Sequence, residues 1–219
     1  MSETLTTFEF THTTSNLEER NALSEEVMAA VATEGAAAVH NFLPIYHLQR
    51  AARSLYNEPW QTDESHEHGA VERHHDLIEY GFLADYPWPT ASAGRDYAPE
   101  PVFNASRRIT EFVASAPSAE PWSPTEIMAH RYKPEDFIAR HRDYARALGY
   151  VAVLTLEGSQ VFSFERDSGE VASVDMQPGT LTIMRGYQPS TAKPRPYHWV
   201  EAATEDRFAI SLREMRKSW

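Results

Sequence analysis

From Pro121 onward the sequence breaks into short alternating runs separated by turn residues, and this limits the possible folds more than any other feature. Strands are predicted near 125–132, 137–143, 150–156, 160–165, 170–175, 180–185, 197–202 and 206–213. That many short strands, joined by both long and short returns, predict a jelly roll: two sheets around a pocket. The first 120 residues read differently. Residues 1–20 are polar and read as a loose arm or edge segment. Ser24-Glu25-Glu26 reads as the cap and first turn of a helix whose apolar face is Val27, Met28, Val31 and Ala32, with Gly35 ending it. Ala36 to Phe42 read as a buried strand. Pro44 then leads into a second helix containing Leu48, Ala52 and Leu55, and 104–116 read as another. Residues 57–100 read as long loops with one short strand near Ile78–Leu83. The expectation is one domain over 1–219, mainly β with flanking helices. Residues 1–120 form a helical and lid elaboration, 121–215 the jelly-roll core, and the helices buttress one sheet from outside.

Composition excludes several classes of protein. Hydrophobic residues make up 42% of the chain, enough for a packed core. No apolar run reaches the roughly 18 residues needed to cross a bilayer, so no membrane partner is expected. The start, MSETLTTFEF, lacks the basic and apolar stretches of a signal peptide. Cysteine is absent, which removes disulfides, thiolate nucleophiles and Cys-bound zinc and fits a cytoplasmic location. The net charge of −12 lies in the first 120 residues, with 19 Asp+Glu against 7 Lys+Arg; the remainder is neutral. Neither part has the basic surface of a phosphate-backbone binder.

His141-Arg142-Asp143 lies in one predicted strand and His198 in another. A spacing of two puts His141 and Asp143 on the same strand face, and His198 would arrive from the partner sheet. Two imidazoles and a carboxylate form the facial set that holds non-haem Fe(II) and leaves positions open; zinc also fits such a set. By itself an H-x-D triplet is common by chance in a chain with 10 histidines.

The last strand reads R-F-A-I-S-L-R. Phe208, Ile210 and Leu212 form one face, and Arg207, Ala209, Ser211 and Arg213 form the other. An edge strand with solvated charges is the plain reading. The small residues between the arginines instead leave room for a ligand. Six residues of strand span about 20 Å, roughly the reach of a short dicarboxylate between two arginine side chains, each holding a carboxylate through paired hydrogen bonds. With one carboxylate also at the metal, the co-substrate described is 2-oxoglutarate.

With these residues in view, the chain resembles the Fe(II)/2-oxoglutarate-dependent dioxygenases, most closely their AlkB-like branch, over about 120–214. The parts come in the family's order: His130-Arg131-Tyr132-Lys133-Pro134 in place of an N-x-Y-x-P segment, His141-Arg142-Asp143, Gly179 to Met184, His198, then Arg207 and Arg213 as R-x5-R. The resemblance implies a double-stranded β-helix core with His141, Asp143 and His198 as iron ligands. It implies that Arg207 binds the distal carboxylate of 2-oxoglutarate, that Arg213 lies near the metal-proximal end, and that Tyr132 donates its hydroxyl to the co-substrate. His130, which departs from the family's Asn, is assigned to the same pocket. Fe(II), 2-oxoglutarate and O2 are the implied cofactors, with succinate and CO2 released. Halogenating relatives replace the carboxylate ligand, so Asp143 points to hydroxylation or another oxidation.

The segment 57–100 is the expected lid. It carries Trp60, Tyr80, Phe82, Tyr86, Trp88 and Tyr97, and ten acidic residues against Arg73 and Arg95. Such a lid repels a phosphate backbone, so a small-molecule substrate is expected over nucleic acid. Oxidative demethylation of nucleic acid or nucleotides is the alternative, and a cupin-like binding protein with a structural metal the non-enzymatic one. The cluster His66, His68, His74 and His75 with Glu67, Glu72 and Asp76 has the residue types of a second metal site but reads as a solvated polar loop; Arg185 and Arg195 each could meet a substrate carboxylate but read as exposed charges.

Overall fold

A computed structural model describes residues 8–12, 16–65, 73–81, 98–143, 145–190 and 193–216. In chain order the elements are β1 (Glu9–Thr11), α1 (Leu17–Glu34), β2 (Ala36–His40), α2 (Ile45–Leu55), β3 (Gln61–Ser65), β4 (Arg73–Gly81) and α3 (Glu100–Ala114). Then come β5 (Glu126–Tyr132), β6 (Phe137–His141), β7 (Ala147–Glu157), β8 (Gln160–Glu165), β9 (Val171–Met176), β10 (Leu181–Arg185), β11 (His198–Val200) and β12 (Arg207–Met215). The strands follow the order β1-β2-β10-β7-β12-β5-β4-β6-β11-β8-β9, with β3 pairing β4 off this path. The sheet rolls around one cavity, lined from β4 through β12, and forms a jelly roll.

Strand alternation sorts the side chains onto two faces. Val151 and Val153 of β7, Thr182 and Met184 of β10, and Arg207, Ser211 and Arg213 of β12 face the cavity. Their neighbours Ala152, Leu154, Leu181, Ile183, Phe208, Ile210 and Leu212 face outward into the larger core, against the helices. There α2 buries Leu48, Ala51, Ala52 and Leu55, and α3 buries Val102, Ile109, Phe112 and Val113. Each fully buried Leu or Ile side chain contributes about 2 kcal/mol. The helices therefore buttress the sheet from outside, and the pocket stays on its other face.

Three expectations need correction. α1 begins at Leu17, seven residues before Ser24, because the Asn16 side chain caps it by accepting the Glu19 N–H at 2.8 Å. Ser24 is buried instead, donating its hydroxyl to the Phe112 carbonyl at 2.5 Å. Within residues 1–20, β1 is an edge strand, as the edge-segment reading expected, and α1 has already begun. The strand placed near Ile78–Leu83 begins at Arg73 and pairs with β5, Asp76 opposite Arg131 and Tyr80 opposite Ile127. The helix placed at 104–116 spans Glu100–Ala114. Gly35 does end α1, in the left-handed region at φ 97°, with its N–H on the Val31 carbonyl at 3.0 Å.

Of the aromatic residues assigned to a lid, Trp60 and Tyr80 pack against the main core. Phe82, Tyr86, Trp88 and Tyr97 lie outside the described residues, as do His66 and His68. Among the described residues no helix is long and apolar enough to cross a membrane.

Candidate metal centre

β6 and β11 pair antiparallel with His141 opposite His198. Residues directly opposite share a face, so both imidazoles enter the cavity. Asp143 follows two residues after His141. Ligand atoms of the three residues all lie within 4.8 Å of one another, and they are the one such group of three or more among the described residues. His198 Nε2 stands 3.7 Å from Asp143 Oδ2.

The ring orientations are fixed from behind. His141 Nδ1 lies 2.9 Å from the Ala139 carbonyl, and His198 Nδ1 3.2 Å from the Pro196 carbonyl. A carbonyl only accepts, so in each neutral ring Nδ1 carries the proton and Nε2 presents its lone pair to the cavity. Burial pushes the Asp143 carboxyl up, but His198, Arg213, His141 and Arg195 outweigh it and hold the group below its ordinary value. A carboxylate and two imidazoles turned toward one point fit a divalent cation with open positions.

The cavity, about 90 Å³, continues inward from this centre to Arg207. Arg207 is 1% exposed. It donates to Thr155 Oγ1 at 2.9 Å and Gln160 Oε1 at 3.2 Å, and its Cζ lies 5.1 Å from the Tyr132 ring centroid. Burial pulls its pKa down, with Tyr132 acting in the opposite direction. The ordinary arginine value is so high that the group stays charged at neutral pH. Among the described residues it has no carboxylate partner, and its Nε is buried with no hydrogen-bond partner. Thr182 Oγ1, lining the same cavity, is likewise unsatisfied. A buried, uncompensated guanidinium is costly, and a carboxylate entering the cavity removes that cost.

The two arginines of β12 are not equivalent. Arg213 lines the cavity with His141, Asp143 and His198, but its Nε donates to Glu126 Oε2 at 2.8 Å, and its Nη2 contacts Met128 Sδ. Burial raises the pKa of Glu126 and Arg213 works against that rise. The picture of two guanidiniums equally open to a dicarboxylate thus becomes one uncompensated anchor, Arg207, and one arginine already held by a carboxylate.

Tyr132 and His130 also line the cavity. His130 Nε2 lies 2.9 Å from Ser211 Oγ, and His130 Nδ1 3.2 Å from His75 Nε2. His75, read in the sequence as part of a solvated loop, is buried in β4 and stacks on Tyr132 at 5.0 Å. The buried Asp76 next to it turns to the opposite face and pairs with Arg131 and, at 3.0 Å, with Lys133. The alternation was the available signal: once the strand is extended back to Arg73, His75 falls on the face opposite Ile78 and Tyr80. Arg185, expected as an exposed charge, is also buried. It is clamped by Asp167 at 2.5 Å and by the carbonyls of Ala32 at 3.1 Å and Pro194 at 2.8 Å. Arg195 is half-buried and donates from Nη1 to the Asp143 carbonyl.

No protein-family model matches the chain, and no curated protein matches it in sequence. Solved structures do match. A Trichoplax adhaerens prolyl hydroxylase in complex with a hypoxia inducible factor oxygen degradation domain peptide superposes with a TM-score of 0.68 at 16% identity, over 93% of this chain and 94% of that one. A Pseudomonas putida prolyl-4-hydroxylase superposes with a TM-score of 0.63 at 16% identity, over 89% of this chain and 100% of that one. The non-haem alpha-ketoglutarate-dependent epimerase SnoN of nogalamycin biosynthesis gives 0.60 at 16% identity, over 89% and 83%. At such identities the likeness is one of fold, and the shared fold is the double-stranded β-helix.

Proposed function

We propose that the chain is an Fe(II)- and 2-oxoglutarate-dependent oxygenase that hydroxylates or otherwise oxidises a small-molecule substrate at an unactivated C–H bond, releasing succinate and CO2. The observation that carries this reading is the pairing of two features in one cavity: the His141, Asp143, His198 group and the buried, uncompensated Arg207. A cupin-like binding protein with a structural metal accounts for the first feature but not the second.

In this reading His141, Asp143 and His198 hold Fe(II), and Arg207 anchors the distal carboxylate of 2-oxoglutarate. Bound iron supplies the activation of O2 and the oxidative decarboxylation of the co-substrate. The chain's residues do the positioning. The Ala139 and Pro196 carbonyls keep both Nε2 lone pairs inward. Thr155 and Gln160 orient the Arg207 fork, and Tyr132 and His130 line the co-substrate's path. Arg213, with its charge shared by Glu126, lies toward the metal-proximal end. Val151, Val153, Phe162 and Met184 give the cavity apolar walls that exclude water.

The AlkB-like branch, with demethylation of nucleic acid or nucleotides, is the second reading. It is favoured by Tyr132, Arg207 and Arg213 facing one cavity in the family's order. Succinate release separates the two when measured with a panel of small metabolites and with methylated oligonucleotides. Metabolite-dependent succinate supports the first reading, and salt-sensitive turnover of an oligonucleotide overturns it.

A further inference from the structure

A groove on the rim of the metal centre carries a second cluster of charge that the proposed chemistry does not use. Alternation along β6 puts Arg140 and Arg142 on the face opposite His141, and Tyr197, just ahead of His198, meets them there. The Cζ atoms of Arg140 and Arg142 lie 3.6 and 3.9 Å from the Tyr197 ring centroid. Arg140 is compensated, donating from Nε to Glu165 Oε1 at 2.7 Å. Arg142 is exposed and has no ion-pair partner among the described residues. Arg195 reaches the same groove and likewise forms no ion pair among the described residues; the carboxylate it acts on is that of Asp143, a proposed metal ligand. The other cations of the groove are occupied: Arg166 pairs with Glu34 at 2.6 Å and Lys193 with Asp167 at 3.2 Å. The groove has a volume of about 410 Å³ and therefore admits more than a single ion.

We propose that this groove is a subsite for a carboxylate group of the substrate, held between Arg142 and Arg195. The inference rests on the reading of the adjoining centre as the site of oxidation. A guanidinium stacked on a ring is fixed in orientation without spending its in-plane N–H donors. Among the described residues nothing takes the in-plane donors of Arg142, and Arg195 retains donors beyond the one on the Asp143 carbonyl. Two forks match the planar, bidentate geometry of a carboxylate. A tetrahedral phosphate favours a cradle of main-chain amides, and in the adjoining turn the Arg166 and Gly169 amides are bonded within the turn. Arg142 lies between His141 and Asp143 in sequence, and Tyr197 precedes His198. A carboxylate bound here is thus anchored beside the two strands that carry the proposed metal ligands.

The test is NMR of ¹⁵N-arginine-labelled protein loaded with Zn(II) and one equivalent of 2-oxoglutarate. It is titrated with N-acetylglycine, with its neutral amide and with inorganic phosphate. N-acetylglycine should shift the Nε–H resonances of Arg142 and Arg195 saturably, and the amide should not. Arg142→Gln should weaken that binding about tenfold, the effect of one lost charged hydrogen-bond partner. No shift at either arginine with N-acetylglycine, an equal shift with the amide, or a response to phosphate alone overturns the proposal. The Arg207 resonance reports the inner cavity separately. A response at Arg142 and Arg195 with none at Arg207 to 2-oxoglutarate supports the groove and overturns the co-substrate reading; the reverse pattern overturns the groove alone.

Discussion

His198 stands directly opposite His141 in the antiparallel pairing of β11 with β6, and their ring centroids lie 4.2 Å apart. The candidate metal centre is therefore a consequence of strand register. A slip of one residue would turn His198 outward and bring Tyr197 or Trp199 into the cavity. The pairing shifts register between His198 and Val200, an irregularity of the kind that re-aims side chains beside active sites.

Arg207 should behave as a residue kept for binding at a cost to stability. Arg207→Met removes a buried cation that has no carboxylate partner among the described residues. The account expects 2-oxoglutarate affinity to fall about 100-fold, the scale of one or two charge-assisted bonds. It expects denaturant stability of the ligand-free protein to hold or rise. Calorimetric titration and chemical denaturation check the two halves, and undiminished 2-oxoglutarate binding would remove Arg207 from the site.

Asp76 should make the fold acid-sensitive. Its side chain is 3% exposed. Burial pushes its pKa up, but hydrogen bonds from Arg131, Lys133 and Thr62 overcome this and hold it below the ordinary value. With the folded pKa depressed, its stabilisation is complete above the unfolded value of about 3.9 and is lost as pH falls through the folded one. Asp76→Asn should cost about 2 kcal/mol at pH 7, less than a fully buried pair because Arg131 and Lys133 are partly exposed. The gap between wild type and variant should begin to narrow below about pH 4 and close as pH falls through the folded value. Urea melts at pH 7 and pH 3 decide this, and a gap that does not change with pH counts against it.

Asp167 should hold the rim of the site together. It pairs with the buried Arg185 at 2.5 Å and with Lys193 at 3.2 Å. Both cations also bond the Ala32 carbonyl near the C-terminus of α1, Arg185 at 3.1 Å and Lys193 at 2.7 Å. α1 has no basic residue of its own in its last turn, so these two complement its dipole from elsewhere in the chain. Asp167→Ala leaves Arg185 buried without a carboxylate and should cost about 3 kcal/mol. Thermal and urea unfolding measure it; a loss within about 0.5 kcal/mol, the range of ordinary surface changes, would mean that the carbonyls alone satisfy Arg185.

The strands after Pro121 were legible because their signal is local. Alternation and turn residues located all eight to within a few residues, and the R-F-A-I-S-L-R pattern anticipated which face of β12 meets the cavity. The errors arose where the deciding partner is distant in sequence. Ser24 resembles a cap, but its hydroxyl is used by Phe112, 88 residues away. Arg185 resembles a surface charge until the Val31, Ala32 and Pro194 carbonyls and Asp167 meet around it. His75 and Asp76 look like solvated loop residues, yet their strand is built by pairing with β5. That pairing turns one of them to the cavity and the other to Arg131.

The most direct measurement is an anaerobic titration of the protein with Fe(II) and 2-oxoglutarate, followed by visible absorption. The account predicts a metal-to-ligand charge-transfer band that needs both additions and disappears in the Asp143→Ala/His198→Ala double variant. Absence of the band in folded protein, or its persistence in that variant, would contradict the assignment of this cavity as an iron and 2-oxoglutarate site.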